Sequence, residues 1–584
     1  MRIALDIETD SKHSKIWLCV TKDIDTGETK VWKSPNGLND YLSKATLLIG
    51  QNSIGFDFYL LNKLWKTTIG RKKAYDTLVV SRLLEPTREQ GHSLEAWGEV
   101  LGTNKIEYKR IYAWLMNKQY TDAKEFKNDT SCYDEPHWGL LEFYCIRDVD
   151  VLEALYRHLE DKKEELGFSD ESVELEHQVA AIVSQQERNG FKLDTQKATM
   201  LLVNLKGRLD ELYEWFQKRW PTYEVERVSE KTGKLLKPQL VTFNPGSRQQ
   251  IGEKLKELGW KPEKFTETGQ PQVDEKILEK LPYEEAKLIA EYLLIQKRIA
   301  QIESWMEALG DDGRVHGRVI TNGAVTGRMT HHSPNMGQVP NTSSLYGAEC
   351  REVWTVEEDS EQGGVDLSGI ELRCLAHYMQ DKDWQNELLV GDVHWKNTQA
   401  FGLVPMGTEK TEDKEHKDAR NLSKTLCYSV LYGAGPAKVG LTVGKGAKEG
   451  AKLIDNFMRN TPALKKLINK VTKYAAEGYV PGLDGRKVWV RSEHAALNSL
   501  LQSAGAIIAK KWIVIMEQDL RKQKIPYKLL AVVHDEVQLE VPKGMGDIVG
   551  KIAVEAATKA GEALNFRCPV SAEYRVGRNW HDCH

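Results

Sequence analysis

Apolar residues recur along this chain with two different periods, and the changes of period mark its parts. Ile3-Ala4-Leu5-Asp6-Ile7-Glu8 reads as a strand that carries two acids near its end. Residues 45–49 form a second short apolar, strand-like run. Residues 171–190 and 195–219 have apolar positions at helical spacing, and Gly190 closes the first of these helices. Residues 224–245 are polar and turn-rich, with 229–234 expected as a hairpin tip. Helical periodicity resumes at Ser247 and dominates to about Leu309, where Gly310-Asp311-Asp312-Gly313 interrupts it. Short strands follow at 315–320 and 363–366, and helices dominate 371–478 around a charged connector at 407–417. The last part sets a helix at 495–521 before a strand pair at 529–533 and 536–541. There is no internal repeat and no low-complexity segment.

Composition narrows the class. At about 150 residues per domain, 584 residues amount to roughly four domain-sized units. Hydrophobic residues at 41% and charged residues at 28% suit several large cores and exclude a disordered chain. Lys+Arg 81 against Asp+Glu 85 leaves a net charge of −4, which excludes a generally basic, histone-like binder but leaves room for a local basic groove. The most apolar stretch, 500–516, is cut by Gln502, Ser503, Lys510 and Lys511, so no membrane span is expected. No secretory signal opens the chain, and the eight cysteines include no C-x-x-C pair, so neither a zinc site nor a disulfide framework is indicated and a cytoplasmic setting fits. Gly440, Gly444 and Gly446 lack the spacing of a phosphate-binding P-loop.

Two groups of acids carry the chemistry. Asp6 and Glu8 are two apart on a predicted strand, so both carboxylates share a face and repel unless a cation lies between them. Asp57 ends Asn52-Ser53-Ile54-Gly55-Phe56-Asp57, and Tyr144 and Asp148 are i and i+4 on a predicted helix. Far along the chain Asp366 follows a short strand, with Glu371 five residues on. Arg420, Lys424, Tyr428 and Tyr432 recur every four residues, and the first three span about 80° of a helix. His534-Asp535-Glu536 lies at the turn of a predicted hairpin. Each feature alone has an ordinary reading: D-x-E as solvated charges, Tyr144 and Tyr432 as core residues, Arg420 and Lys424 as an exposed basic face, His394 as structural, Asp535 as a turn former. Their joint occurrence in order is what points to chemistry.

The first group resembles the three motifs of proofreading 3′–5′ exonucleases, D-x-E, N-x-x-x-F-D and Y-x-x-x-D. The second resembles motifs A, B and C of the family A DNA polymerases, most closely the replicative polymerases of podovirus-type phages. Gly323-Ala324-Val325-Thr326-Gly327-Arg328, Leu483-Asp484-Gly485-Arg486-Lys487, His494-Ala495-Ala496-Leu497-Asn498, Gln502-Ser503-Ala504-Gly505 and the terminal Cys583-His584 carry the same likeness, which covers nearly the whole chain. The resemblance implies a multidomain α/β and α+β fold: an RNase H-like exonuclease domain at 1–165, linker helices and thumb at 166–312, palm at 313–374 and 495–584, and fingers at 375–494. It implies a template-directed DNA polymerase with 3′–5′ proofreading, both activities using two Mg²⁺ ions per site. A repair polymerase, a non-catalytic DNA-binding scaffold and a nuclease that uses the hand only as a grip are the alternatives.

The same resemblance implies the residue roles. Asp6, Glu8, Asp57 and Asp148 hold the exonuclease metals, and Tyr144 orients the attacking water. Asp366 and Asp535 hold the polymerase metals, with Glu536 the least certain ligand. Arg420, Lys424 and His394 meet the triphosphate, Lys424 also protonating the leaving pyrophosphate, while Tyr428 and Tyr432 line the nucleotide site. Glu371 selects deoxyribose, and Arg328, Gln502 and His534 contact the DNA, the first two at the minor-groove edge of the primer end. Gly369 replaces a glutamine common in relatives, and tyrosine at 428 implies weak discrimination against dideoxynucleotides. The expected partners are primer–template DNA and deoxynucleoside triphosphates, with a replicative helicase–primase as a further candidate. Residues 191–243 are too short for the thumb insertion by which phage relatives recruit thioredoxin, so thioredoxin is not expected. Lys231, Lys234 and Lys237 are candidates for phosphate contacts at the thumb tip or for a solvated loop.

Overall fold

A computed structural model describes residues 1–228 and 235–584. Its first part is a five-stranded mixed sheet of order β3-β2-β1-β4-β5, built from β1 (Arg2–Thr9), β2 (Ile16–Asp23), β3 (Thr29–Trp32), β4 (Leu47–Gly50) and β5 (Ala74–Asp76). The centre strand β1 is buried on both faces because it is apolar at odd and even positions alike. Ile3, Leu5 and Ile7 pack with Phe58 and Leu61 of helix α1 (Asp57–Leu64). Ala4 packs on the other side with Cys145, Val149 and Leu152 of the long helix α2 (Trp138–Leu166). Asp6 and Glu8 continue the row begun by Ala4, so strand alternation alone aims both carboxylates at α2.

Helix α3 (Asp170–Asn189) leaves the sheet and enters the second part. It starts at a Ser169 cap and ends at Gly190, whose φ of +62° is a left-handed conformation; a Cβ there would also lie 2.8 Å from the His316 ring. β6 (Phe191–Leu193) follows, then α4 (Thr195–Arg219), which pairs with α5 (Glu284–Glu307) around Leu205, Leu212, Phe216, Ile289, Tyr292 and Ile295. Between these helices stands an antiparallel hairpin, β7 (Tyr223–Val228) and β8 (Leu235–Val241). The expected tip at 229–234, with Lys231 and Lys234, lies outside the described residues, while Lys237 is exposed on β8. The expected run of helix from 247 to 309 is broken: residues 258–274 are largely irregular, and only Arg248–Glu257, Glu275–Leu278 and α5 are helical.

The single strand expected at 315–320 is two, β9 (Arg314–Val315) and β10 (Arg318–Ile320), because the chain leaves the β6 pairing at His316 and turns to pair with β11 (Thr330–His332). β12 (Trp354–Thr355) lies on the other side of β6. β13 (Ser360–Leu367) is then a middle strand of an antiparallel sheet of order β16-β17-β13-β18. A run of helices follows it, among them α6 (Ile370–Met379), α7 (Val393–Phe401) and α8 (Lys414–Leu431). The hairpin of β14 (Tyr479–Pro481) and β15 (Lys487–Trp489) leads to α9 (Ala496–Lys522). β16 (Lys528–Val533), β17 (Glu536–Pro542), α10 (Gly546–Ala563) and β18 (Ala572–Gly577) complete the fold. By length and composition α9 could cross a bilayer, but 78% of its most apolar window is buried inside the protein, against α10, α3 and α6.

Two buried histidines brace the junctions of this frame as neutral acceptors. His177 on α3 accepts the Asp76 backbone N–H at 2.9 Å, tying α3 to the first sheet. His377 on α6 accepts the Arg567 N–H at 3.0 Å and stacks on Phe566 at 4.4 Å. Burial lowers both from 6.5 to about 4. The unfolded chain therefore binds more protons than the folded one between these values, so stability falls as pH drops from about 6.5 toward 4. Each site is expected to cost on the order of 2–3 kcal/mol once protonated. Melting temperatures between pH 7 and pH 4.5 check this: H177Q and H377Q should each flatten the acid limb, and unchanged slopes would contradict it.

Candidate active sites

The first acid cluster forms where β1, α1 and α2 meet. One ligand atom each of Asp6, Glu8 and Cys145 lies within 4.8 Å of the others. Asp57, at the start of α1, accepts the Ile7 N–H at 3.2 Å through Oδ1 and so sits against β1. Asp148 comes from α2 one turn beyond Tyr144, whose ring stacks on Tyr108 at 4.9 Å. Asp148, Asp57 and Glu8 are buried. Burial and mutual repulsion push these acids up: Asp6 rises to about 7, from burial first and the Asp148 charge second. Glu8 and Asp57 rise for the same reasons, with Asp6 as the leading neighbour.

Lys105 partly relieves the crowding. Its Nζ lies 2.5 Å from Asp148 Oδ2 and over the Tyr144 ring, 4.9 Å from its centroid. Asp148 Oδ1 has no partner. Cys145 Sγ donates to Asp6 Oδ2 at 3.5 Å, and burial among acids pushes this thiol far up, so it is a hydrogen-bond donor here and not a thiolate. The loop ahead of Asp57 is shaped by buried Asp76, which accepts the N–H groups of Asn52 (2.9 Å), Ile54 (3.1 Å) and Leu78 (3.0 Å). Sequence reading singled out none of Lys105, Cys145 and Asp76. Cys145 adjoins Tyr144, and Asp76 directly ahead of an apolar helical run is a readable cap, whereas Lys105 carried no signal.

The second cluster forms on the β16-β17-β13-β18 sheet. Asp366 on β13 pairs in register with Glu536 on β17. Val533 pairs with Glu536, which leaves a two-residue turn, and His534 there has φ +58°. The Leu367 N–H donates to the Asp535 carbonyl at 2.9 Å, so Asp366 and Asp535 stand side by side. Asp366 opens into the cleft, yet partial enclosure by the walls, and then the charges of Asp535 and Glu536, raise it to about 7. Burial also raises Asp535.

Glu536 differs from these two. Trp580 Nε1 (2.5 Å), Gln538 Nε2 (2.8 Å) and Arg351 Nη1 (3.5 Å) donate to its Oε1, and His584 Nδ1 lies 3.3 Å from its Oε2. Burial works against ionisation, but His584 and Arg351 hold Glu536 below its ordinary value. Its oxygens are committed to the protein interior.

Beside Asp535 lies a cavity of about 230 Å³, lined also by Arg328, Glu371, Gly505, Lys510 and His534. Glu371 is held from both sides, by Arg328 Nη2 at 3.2 Å and by the Tyr432 hydroxyl at 2.7 Å. Tyr428 stacks beside Tyr432, ring centroids 6.2 Å apart. Farther along α8, Lys424 is exposed and Arg420 Nε donates to Asp392 Oδ2 at 2.7 Å. Burial opposes ionisation of Asp392, but Arg420 brings it down to about 2. Asp392 also caps α7, on which His394 Nδ1 is buried without a partner. Burial, then Arg420 and Lys424, lower His394. Gln502 is half-buried on α9. Arg328, Glu371, Tyr432, His534, Asp366 and Asp535 thus gather together, while Lys424 and Arg420 lie one and two turns back along α8 from Tyr428 and His394 lies on α7.

This geometry agrees with what the chain is similar to. The family model described as DNA polymerase family A matches residues 216–582. The chain belongs to DNA polymerase family A. The family A DNA-directed DNA polymerase of Enterobacteria phage T3 is 33% identical to it over 99% of both chains, and that of Escherichia phage T7 is 32% identical over all of both. The T7 alignment runs over 726 positions against 584 residues here, so this family A chain lacks segments that the phage T7 protein carries. A solved structure, the POL domain of Pol1 from M. smegmatis in complex with DNA primer-template and dNTP, covers all of this chain and 96% of its own at TM-score 0.78 and 17% identity, a likeness of fold.

Removing the Glu536 charge leaves buried Arg351 without its partner. E536Q is expected to cost about 3 kcal/mol of stability without removing divalent-ion binding on the sheet. Denaturant melts with Mn²⁺ titration followed by electron paramagnetic resonance check this; loss of the ion at unchanged stability would make Glu536 a ligand instead.

Proposed function

We propose that this family A polymerase copies a DNA template by extending a primer 3′ end at Asp366 and Asp535, and removes mispaired 3′ nucleotides at Asp6, Glu8, Asp57 and Asp148. One observation carries the reading: each of two distant segments of the chain gathers carboxylates whose ionisation burial and like charge oppose, as a divalent-ion site requires. The donors are suited to Mg²⁺, two ions at each site. They are oxygen atoms, fitted to hard cations, and Asp148 Oδ1 is buried without a partner. Bound ions supply neutralisation of the phosphate oxygens and activation of the attacking hydroxyl or water.

The chain's own residues do the rest. Arg420 exchanges Asp392 for the triphosphate and grips it with a forked guanidinium, while Lys424 adds a point charge and hands a proton to the leaving pyrophosphate. His394, beside Arg420 and Lys424, donates a ring N–H to a phosphate oxygen. Tyr428 packs on the incoming base and sugar, and Glu371, fixed by Tyr432 and Arg328, fills the space beneath the sugar 2′ carbon. Arg328 and Gln502 donate to the minor-groove edge of the last base pairs, where acceptors are alike for every correct pair, and His534 also contacts the DNA. In the exonuclease Tyr144, beside Asp148, orients the attacking water.

The parts divide as exonuclease 1–165, linker helices and thumb 166–312, palm 313–374 and 495–584, and fingers 375–494. The partners are primer–template DNA and deoxynucleoside triphosphates, with a helicase–primase as a further candidate and without thioredoxin; the short β7–β8 hairpin supports the last point. The setting is the cytoplasm of a phage host.

Gel-resolved extension and degradation of one labelled primer–template, with and without nucleotides, tests both activities. Losing one metal-binding acid removes several kcal/mol of charge stabilisation, so D535N should lower synthesis about a thousandfold and leave single-strand degradation intact. D6A with E8A should do the opposite. Synthesis near wild type in D535N, or continued trimming in the double variant, would refute the respective site.

A further inference from the structure

Outside the two acid clusters, the protein buries a balanced group of four charges. Glu176 on α3, Lys510 on α9, and Asp484 and Arg486 in the turn between β14 and β15 have side chains 0, 1, 3 and 3% exposed. Glu176 Oε1 accepts from Arg486 Nη1 and from Lys510 Nζ, each at 2.7 Å. Arg486 also binds Asp484, its Nη2 2.6 Å from Oδ2. Burying such charges costs several kcal/mol each, and apolar residues of like volume would serve stability as well. What the cluster supplies is fixed geometry.

The geometry is spent on one loop. The connection between β10 and β11 begins at Asn322, whose Oδ1 accepts from Lys510 Nζ at 2.8 Å. It closes in a tight turn, with the Ala324 N–H on the Arg328 carbonyl (3.1 Å) and the Gly327 N–H on the Ala324 carbonyl (2.8 Å). Gly327 has φ +78°, and a Cβ on it would lie 3.2 Å from Arg486 Nη1. One cation therefore holds the start of the loop and the other supports its end, and Glu176 joins the two. The next residue is Arg328, whose guanidinium reaches Glu371 at the rim of the cavity beside Asp535. Glu176 Oε2 and Asn322 Nδ2 are buried without partners, so each of these side chains holds the loop through its other polar atom alone.

We infer that Glu176, Lys510 and Arg486 are positioning residues for Arg328, and that this buried cluster sets how strictly the polymerase site rejects a mispaired primer end. A hydrogen bond to the minor-groove edge weakens steeply with misplacement. A mispair moves the acceptor, and only a guanidinium held in place registers the difference. A loosened loop lets Arg328 follow the displaced acceptor, so discrimination falls while synthesis from a matched end continues. The inference rests on the reading of Arg328 as a minor-groove donor.

The test uses the full chain carrying D6A and E8A, so that mispaired ends survive. Two charge-balanced pairs are compared, E176Q/K510M and D484N/R486M, with R328A alone and R328A added to each pair. Single-nucleotide extension is followed from matched and mispaired primers. Each pair is expected to keep matched extension within about threefold while discrimination falls about tenfold, the worth of one charged hydrogen bond. Neither pair should lower discrimination further in the R328A background, because the residues act through Arg328. Equal loss on both primers, full additivity with R328A, unchanged discrimination, or unfolding of both pairs would overturn the inference. R328A that discriminates like its parent would overturn it as well. A parent that extends no matched primer would refute the polymerase reading itself, a result distinct from all of these.

Discussion

Carboxylates held close together where water is scarce are the constraint around which this molecule is organised. In the first sheet, strand alternation aims Asp6 and Glu8 at the helix that carries Asp148, and Asp57 closes the set through the Ile7 N–H. In the second, antiparallel register sets Asp366 opposite Glu536, and a two-residue turn swings Asp535 beside it. Neither arrangement is stable on its own terms, because like charges in a low dielectric repel. Divalent ions held at each cluster would relieve that repulsion.

The two sites answer the constraint differently. The first cluster is mostly buried, and Lys105 serves as a resident counter-ion on Asp148. The polymerase pair is open on one side, and the internal cation near it, Arg351, is spent on Glu536. Asp366 and Asp535 face the cleft side by side, with Arg328 and His534 near Asp535. On α8, Arg420 is paired in a similar way with Asp392.

Much of this was legible in the sequence, for stated reasons. Period-two and helical patterns located β1, α3, α4, α9 and the β16–β17 hairpin, since each buries a regular face. The spacing of Arg420, Lys424, Tyr428 and Tyr432 put them on one side of a helix before any coordinates. What the sequence withheld depends on tertiary approach. Lys105 lies in an irregular stretch with no periodicity to mark it. Glu536 is undecided in the sequence, the least certain ligand although it adjoins Asp535, and only the approach of Trp580, Arg351 and His584 reveals that its oxygens are taken. The 315–320 strand divides because two different partners claim its halves. Glu176, Arg486 and Lys510 are far apart in the chain, so no local pattern could have joined them.

The most direct measurement is anomalous scattering from crystals of the protein soaked in Mn²⁺ with a primer–template. Manganese peaks are expected in two places, between Asp366 and Asp535 and among Asp6, Glu8, Asp57 and Asp148, with Lys105 moved off Asp148 in the second. Peaks at neither cluster, or Asp366 and Asp535 turned apart with no ion between them, would contradict the account.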